Sequence, residues 1–212
     1  MSTLAINGGE KIFGNEFKLA DYPSVYLETA VLLSDIYLKS RKWSYFGPYE
    51  QQFAESFAKY HDSSYGGFMA NGTVTLECAL GALGVGPGDE VIVPGITWQA
   101  TASAVCDVNA VPVLVDVDAE TLCIDPTKIE ENITSRTRAI IPVHLYHRMA
   151  DMDKILPIAK KHNLVVIEDS AHSHGSQWDR KGAGTLGDFG SFSFQSSKLL
   201  NAGEGGDRKS VV

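Results

Sequence analysis

Lys198 lies between a strand-like run and a glycine-rich turn, in the stretch SFSFQSSKLLNAGEGG that covers residues 191–206. A lysine on a solvated surface is one explanation of this position. The other is a lysine held in a pocket, where its amine can condense with a carbonyl compound to form a Schiff base. The glycines that follow Lys198 would let the backbone pass close to such a ligand.

Asp169 supplies a second reactive group, because it ends the strongly apolar run LVVIED at residues 164–169. A carboxylate at such a strand end is partly desolvated, and an unpaired buried charge is costly, so Asp169 needs a partner. A cap on the following helix would satisfy this carboxylate, and so would a cationic group on a ligand.

A phosphate could bind where Asn71, Gly72 and Thr73 follow the first strand and open a helix. Free N–H groups at a helix start, the absence of a side chain at Gly72 and the Thr73 hydroxyl all suit an anion. Asn71 as a plain helix N-cap explains the same residues and is favoured when the motif is considered by itself. Trp98, after the next strand, either fills the core or covers a planar ring.

The histidines near Asp169 raise the alternative of a metal-dependent hydrolase. This alternative would use His144, Asp169, His172 and His174, with His147 close by in the sequence. The spacings H-x-x-H and D-x-x-H-x-H match no standard zinc motif. We therefore expect no metal.

These residues require elements that bring them together, and the hydrophobic pattern predicts an α/β fold. Short apolar runs alternate with segments of helical periodicity, and several runs are apolar on both faces, which is typical of a mostly parallel sheet sandwiched by helices. Ligands of such sheets bind beyond the carboxyl ends of the strands. Strands are predicted over 65–70, 90–94, 111–117, 138–144, 164–169 and 190–194, and helices over 26–40, 48–61, 71–84, 98–108, 125–133 and 150–163.

Composition excludes several classes of function. The formal net charge of −8 argues against general binding to nucleic acid or to anionic membranes. The apolar runs are strand-sized, and the first residues carry no secretory signal pattern. Cys78, Cys106 and Cys123 are odd in number and form no C-x-x-C motif, so reduced thiols in a cytoplasmic protein are expected.

A lysine, a buried aspartate, a phosphate cradle, a flat aromatic side chain and a supporting histidine are together what pyridoxal 5′-phosphate requires. The lysine would bond the aldehyde, and the aspartate would pair with the protonated ring nitrogen. The helix start and nearby hydroxyls, including that of Ser193, would hold the phosphate. The sequence therefore predicts this cofactor.

The sequence also resembles the DegT/StrS family of pyridoxal-phosphate sugar aminotransferases, which have the aspartate aminotransferase fold type I. The stretches that match follow the family's order along nearly the whole chain. They are LAINGGEKIF, NGTVTLECALGALGVGPGDEVIVPGITW, PVLVDVDAETLCIDP, AIIPVHLY, ADMDKI, VVIEDSAHSHGS, GDFGSFSFQSSK and AGEGG. ITWQATASAV and SFQSSKLLNAGEGG look most like enzymes that aminate cyclitol ketones for aminocyclitol antibiotics.

Carried over position by position, the resemblance makes Lys198 the Schiff-base lysine and Asp169 the partner of the ring nitrogen. Because dehydratases of the family have histidine in place of this lysine, Lys198 favours transamination. His147 stands where many members have glycine, which changes the local loop or the fit of the substrate. The further cofactor contacts that the resemblance implies are Gly72, Thr73 and Ser193 at the phosphate, Trp98 on the ring face and His172 beside the ring hydroxyl.

The resemblance implies transfer of an amino group from glutamine or glutamate to a keto-sugar or a cyclitol ketone, in a homodimer. A 3-amino-5-hydroxybenzoate synthase-like enzyme and a non-catalytic relative that binds the cofactor are the alternatives. We expect a helical segment over residues 1–60 and an incomplete large domain over 61–206, with the family's small C-terminal domain absent. Residues 207–212, DRKSVV, are polar where an apolar strand is expected, so we hypothesise that they are not native.

Overall fold

The computed structural model describes residue 24, residues 26–40 and residues 47–210. Contacts between residues divide the chain into two compact units, the first ending at Gly47 and the second beginning at Pro48. The helix predicted over 26–40 is present in the first unit as α1 (Leu27–Asp35), followed by a π-helical turn (Ile36–Ser40). The stretch LAINGGEKIF lies outside the described residues.

The second unit contains a seven-stranded sheet in the order β1-β9-β8-β5-β4-β2-β3. The five strands from β8 to β3 are parallel to their neighbours, whereas β9 is antiparallel to both β1 and β8. The sheet and a separate hairpin (β6 and β7) consist of β1 (Tyr65–Met69), β2 (Glu90–Pro94), β3 (Val111–Val115), β4 (Thr137–Ile140), β5 (Val165–Asp169), β6 (Gln177–Trp178), β7 (Lys181–Gly182), β8 (Phe189–Ser193) and β9 (Gly206–Ser210).

Helices cover the sheet on both faces. Successive side chains of β2 point to opposite faces, and they pack in a different apolar cluster on each face. Ile92 packs in one cluster with Ile155, while Val91 and Val93 pack in the other with residues of two further helices. This arrangement confirms the predicted mostly parallel sheet sandwiched by helices. The helices of this unit are α2 (Pro48–Tyr60), α3 (Gly72–Ala82), α4 (Ala100–Asp107) and α5 (Met152–His162).

Helix α2 belongs to the unit of the sheet, whereas the sequence analysis placed the division after this helix, at residue 60. The reason is its aromatic face. The Phe57 ring meets the rings of Phe192 and Phe194 edge-on, with centroids 5.1 and 5.0 Å apart, and all three side chains are buried. The role of residues 61–206 as a cofactor-binding domain stays a prediction.

The structure differs from the predicted elements at three places. The segment predicted as a helix over 125–133 forms two short 3-10 turns, Pro126–Lys128 and Glu130–Asn132. The β6–β7 hairpin was not predicted. Residues 206–210, which are not among the strands predicted from the sequence, pair through their backbone with β1 and β8; that residues 207–212 are not native stays a prediction.

None of the described helices combines the length and the apolar character that crossing a bilayer demands.

A matched pair of glycine variants tests the packing of the sheet. A Cβ at Gly190, in β8, would lie 2.5 Å from Gly184 Cα, whereas a Cβ at Gly81, in α3, would meet nothing within 4 Å. Gly190→Ala should therefore lower the free energy of unfolding by about 3 kcal/mol, from overpacking. Gly81→Ala should raise it by about 0.5–1 kcal/mol, because alanine is the better helix former. Urea denaturation measures both changes, and equal effects of the two variants would contradict the described packing.

Candidate active site

A cavity of about 570 Å³ lies at the carboxyl ends of the parallel strands. Its lining comes from segments that directly follow β1, β2, β4, β5 and β8, as expected for the ligand site of an open α/β sheet. All of the residues predicted from the sequence to form the site are among those that line it: Gly72, Thr73, Trp98, Asp169, His172, Ser193 and Lys198.

Asp169 is buried at the end of β5, and both of its carboxylate oxygens accept hydrogen bonds. Thr101 Oγ1 donates to Oδ2 over 2.8 Å, and the Ala171 backbone N–H donates to Oδ1 over 3.2 Å. The residues after Asp169 form turns rather than a helix, so the alternative of a helix cap is wrong. These two bonds hold the carboxylate in one orientation toward the cavity.

Thr101 was not singled out from the sequence. It lies in α4, fully buried, and its hydroxyl is also within 2.9 Å of Thr97 Oγ1. In the sequence, Thr101 stands out as a hydroxyl residue in the first turn of a predicted helix that starts beyond the carboxyl end of a strand. Since its partner Asp169 is distant along the chain, that signal could not identify the contact.

Lys198 is half-buried, in a turn that is closed by hydrogen bonds of Gln195. Its backbone N–H donates to Gln195 O over 2.9 Å, and the Ser197 backbone N–H donates to Gln195 Oε1 over 2.8 Å. Burial lowers the pKa of the Lys198 amine, and the Asp169 carboxylate partly opposes this effect. The neutral, nucleophilic form of the amine is therefore more accessible than it is for an exposed lysine.

The start of α3 packs closely against β8. Asn71 is an N-cap, since its Oδ1 accepts a hydrogen bond from the Val74 backbone N–H over 3.0 Å, so the plain capping interpretation is confirmed. Asn71 also lines the cavity, together with Gly72 and Thr73. A Cβ at Gly72 would lie 3.0 Å from Ser193 Cβ, so the absence of a side chain brings the helix start beside Ser193. The N-terminus of α3 thus offers the cavity a favourable anion site.

The histidines near Asp169 have separate roles, and the structure does not support a shared metal. His144 is fully buried; its Nδ1 accepts from the Ala150 backbone N–H, so Nε2 carries the proton and donates to Glu168 over 2.8 Å. His174 is buried, and its Nε2 donates to Ser193 O over 2.9 Å. Within the part of the chain that the structure describes, no group of three or more His, Cys, Asp or Glu side chains could hold a metal ion.

His172 differs from the other two because it lines the cavity. Its Nδ1 is buried and has no hydrogen-bond partner among the described residues. Burial, followed by the cationic Lys198, lowers the pKa of its imidazole. The Tyr146 ring stacks on it with a centroid distance of 5.4 Å and an interplanar angle of 19°. A ligand hydroxyl would satisfy the unpartnered nitrogen.

Glu168, adjacent to Asp169 on the opposite face of β5, is a fully buried carboxylate that the sequence analysis did not identify. Its Oε2 accepts from His144 Nε2 and from the Gly184 backbone N–H, at 2.8 and 3.0 Å. Its Oε1 accepts from the backbone N–H groups of Leu186 and Gly187, at 2.6 and 2.7 Å. Four donors from two separate loops therefore hold the end of β5 in place.

Comparison with known proteins places this site in context. Residues 31–207 match the DegT/DnrJ/EryC1/StrS aminotransferase family. The L-glutamine:2-deoxy-scyllo-inosose aminotransferase of Micromonospora echinospora is 46% identical over 212 residues, which cover 97% of this chain and 50% of the relative. The L-glutamine:scyllo-inosose aminotransferase of Streptomyces griseus is 47% identical over 211 residues, which cover 97% of this chain and 49% of the relative. The chain thus spans about half the length of the curated relatives it matches.

Solved structures of other proteins superpose closely on this chain. An aminotransferase from Psychrobacter cryohalolentis superposes with a TM-score of 0.88 at 38% identity, covering 92% of this chain and 50% of that protein. A 3-amino-5-hydroxybenzoic acid synthase superposes with a TM-score of 0.86 at 36% identity, with coverages of 92% and 50%. NtdA from Bacillus subtilis, solved with bound cofactor PMP, superposes with a TM-score of 0.81 at 31% identity, with coverages of 94% and 47%.

Removing the Glu168 side chain should destabilise the fold severely. In Glu168→Ala, His144 Nε2 and three backbone N–H groups lose their acceptor in the protein interior. We expect the free energy of unfolding to fall by about 3–5 kcal/mol. Glu131→Ala is the control, because Glu131 is exposed and its ion pair with Lys128 spans 3.8 Å at the surface. The control should change the free energy of unfolding by less than about 0.5 kcal/mol in urea denaturation. A similar small change for Glu168→Ala would contradict the described network.

His174 should make the protein less stable in acid. Burial lowers the pKa of its imidazole to about 4 from an ordinary value of 6.5. The unfolded chain then takes up a proton at higher pH than the folded protein does, so stability present above pH 6.5 is lost as the pH falls toward 4. The loss from this residue should reach at most about 3 kcal/mol.

Denaturation of the wild type and of His174→Gln at pH 7 and at pH 4.5 measures this contribution. The variant should lose less stability between the two pH values than the wild type loses. NMR titration of the His174 ring gives the pKa directly, and a folded-state value near 6.5 would show that this interpretation is wrong.

Proposed function

Because the chain belongs to the DegT/DnrJ/EryC1/StrS aminotransferase family, we propose that the protein is a pyridoxal 5′-phosphate-dependent aminotransferase that transfers an amino group from glutamine to a keto-cyclitol. The relatives at 46% and 47% identity are named glutamine:inosose aminotransferases, which supports both the donor and the class of acceptor. The observation that carries the proposal is the presence of Lys198 and Asp169 in one cavity at the carboxyl edge of the sheet.

The donor set of the cavity fits this cofactor. Asp169, held by Thr101 and the Ala171 N–H, would pair with the protonated ring nitrogen. The N-terminus of α3, with Gly72, Thr73 and Ser193, would hold the phosphate. The buried Nδ1 of His172, which lacks a partner among the described residues, would bind the ring hydroxyl.

Trp98 would cover one face of the ring, and its exposed fraction of 69% shows that it is not a core residue. An indole that is exposed at the rim of a cavity can lie against a flat ligand without any rearrangement of the core. The alternative that Trp98 fills the core is therefore wrong.

When bound, pyridoxal 5′-phosphate supplies an aldehyde that carries the amino group and a protonated ring that withdraws electrons from the reacting carbon. Asp169 would keep the ring nitrogen protonated by pairing with it, since the carboxylate is buried and held by two hydrogen bonds. Lys198 would move the proton between the substrate carbon and the aldehyde carbon of the cofactor, acting first as a base and then as an acid. The lowered pKa of its amine supports this role, because the amine must be neutral to accept a proton.

A keto-cyclitol acceptor is favoured over the alternatives. The 3-amino-5-hydroxybenzoic acid synthase is 36% identical to this chain, compared with 46% and 47% for the inosose aminotransferases. A metal-dependent hydrolase is disfavoured because His144 donates to Glu168 and His174 to Ser193, so neither Nε2 is available to a metal.

We further propose that the complete protein is a homodimer. Trp98, which lines the cavity, and Leu199 and Leu200, which follow Lys198, are apolar and exposed by 69%, 63% and 44%. Apolar side chains grouped at the rim of a site are commonly covered by further polypeptide. A partner subunit that covers them would also exclude water from the reaction.

Lys198→Ala tests the proposed function in the complete gene product. Wild type loaded with pyridoxal 5′-phosphate should be yellow, and borohydride should fix the cofactor to the peptide that contains residue 198. Lys198→Ala should lose this attachment and at least about 10²–10⁴-fold of the amino transfer from glutamine to scyllo-inosose. Lys181→Ala, at an exposed lysine of β7, is the control and should behave as wild type.

Two outcomes would overturn this proposal. Cofactor fixed to another lysine would show that Lys198 is not the anchor. A wild type that binds the cofactor at residue 198 but transfers no amino group would favour the non-catalytic relative instead.

A further inference from the structure

A second cavity of about 240 Å³ adjoins the cofactor cavity, and Lys198 and His172 line both of them. His147 and Leu199 line only the smaller cavity, whereas Asp169, Trp98 and Ser193 line only the larger one. Three of the groups proposed to hold the cofactor therefore line the larger cavity alone, and His172 and Lys198 lie where the two cavities meet. The smaller cavity leaves room beside that amine for a substrate.

The turn that carries His147 has an unusual backbone. Tyr146 has φ 48° and ψ 45°, and His147 has φ 64°, so two consecutive residues are in the left-handed region. Residues other than glycine are uncommon in this region; histidine, asparagine and aspartate occur there more often than other types, whereas a bulky residue such as Tyr146 is costly there. The other described residues with positive φ that are not glycine are Asp62, Asn109, Leu122, Asn163, Asp179 and Arg180. Strain of this kind is maintained where the resulting position is useful.

The strained turn directs two rings toward the site. Tyr146 stacks on His172, which lies beside Lys198 in both cavities. His147 is exposed at the smaller cavity, and its ring has no hydrogen bond to any residue that the structure describes. Both of its ring nitrogens are therefore open to a ligand. A neutral imidazole offers one donor and one acceptor, which complements a hydroxyl group.

We propose that His147 is a specificity-determining residue that hydrogen-bonds hydroxyl groups of a polyhydroxylated cyclic ketone seated in the smaller cavity. The inference rests on the proposed function, because it assigns the amino acceptor to this cavity. Leu199, also on its wall, contacts the apolar C–H groups of the same ring.

The test compares His147→Gly and His147→Asn with Asn163→Gly in the complete gene product. Glycine is compatible with the left-handed backbone at either position, and Asn163 lies at the end of α5, outside both cavities. His147→Gly should raise the KM for scyllo-inosose about tenfold, as expected for one lost hydrogen bond. The rate of the half-reaction with glutamine should change by less than about twofold. Asparagine tolerates the backbone and keeps a donor and an acceptor, so His147→Asn should recover part of the loss.

A binding measurement provides a readout that is independent of turnover. scyllo-Inositol carries the same hydroxyl groups but no ketone, so it can bind without reacting. It should raise the thermal unfolding midpoint of wild type and of Asn163→Gly, and it should raise that of His147→Gly much less. Both glycine variants should remain folded without the inositol, because glycine adopts the left-handed backbone at both positions.

The outcomes separate this inference from the proposed function. A wild type that aminates no keto-cyclitol overturns the proposed function, and the inference with it. An active wild type whose KM and inositol response are unchanged in His147→Gly overturns the inference alone. If His147→Gly impaired the half-reaction with glutamine as much as the reaction with scyllo-inosose, the inference would also be overturned. His147 would then act on the cofactor or on Lys198.

Discussion

Glu168 and Asp169 are adjacent buried carboxylates at the end of β5. Each needs hydrogen-bond donors, and the segments around the site supply them. An ionised carboxylate is stable in a protein interior only where donors replace the lost water. Glu168 obtains four donors and Asp169 two. Because the two side chains point to opposite faces of the sheet, one carboxylate serves the fold while the other is presented to the cavity.

The three histidines near these carboxylates also differ in their hydrogen-bond partners. His144 donates to Glu168 and accepts from the Ala150 backbone N–H, and His174 donates to the Ser193 carbonyl, so both contribute to the rigidity of the interior. His172 alone among these three lines the cavity, and its Nδ1 has no partner in the described part of the chain. Three histidines that are close in sequence therefore divide into two that are hydrogen-bonded in the interior and one that borders the cavity.

Close backbone approach is the second constraint on the site. A side chain at Gly206 would lie 2.5 Å from Asn71 O, and one at Gly72 would crowd Ser193. The start of α3 and the ends of β8 and β9 can therefore come together only because these positions carry glycine. This contact places the N-terminus of α3 beside the turn of Lys198, so an anion held by the helix would lie within reach of a ligand bonded to the amine.

The sequence by itself determined the α/β class, most of the strands and helices, and seven of the residues that line the cavity, because hydrophobic periodicity and strand ends are local properties. Only the tertiary structure decided the roles of Thr101 and Glu168, since their partners Asp169 and His144 are 68 and 24 residues away along the chain. It also decided the pairing of β9, which depends on two backbones rather than on its polar side chains. The left-handed turn at His147 could not be predicted from the sequence either, because the type of a residue does not determine the φ angle that its neighbours impose.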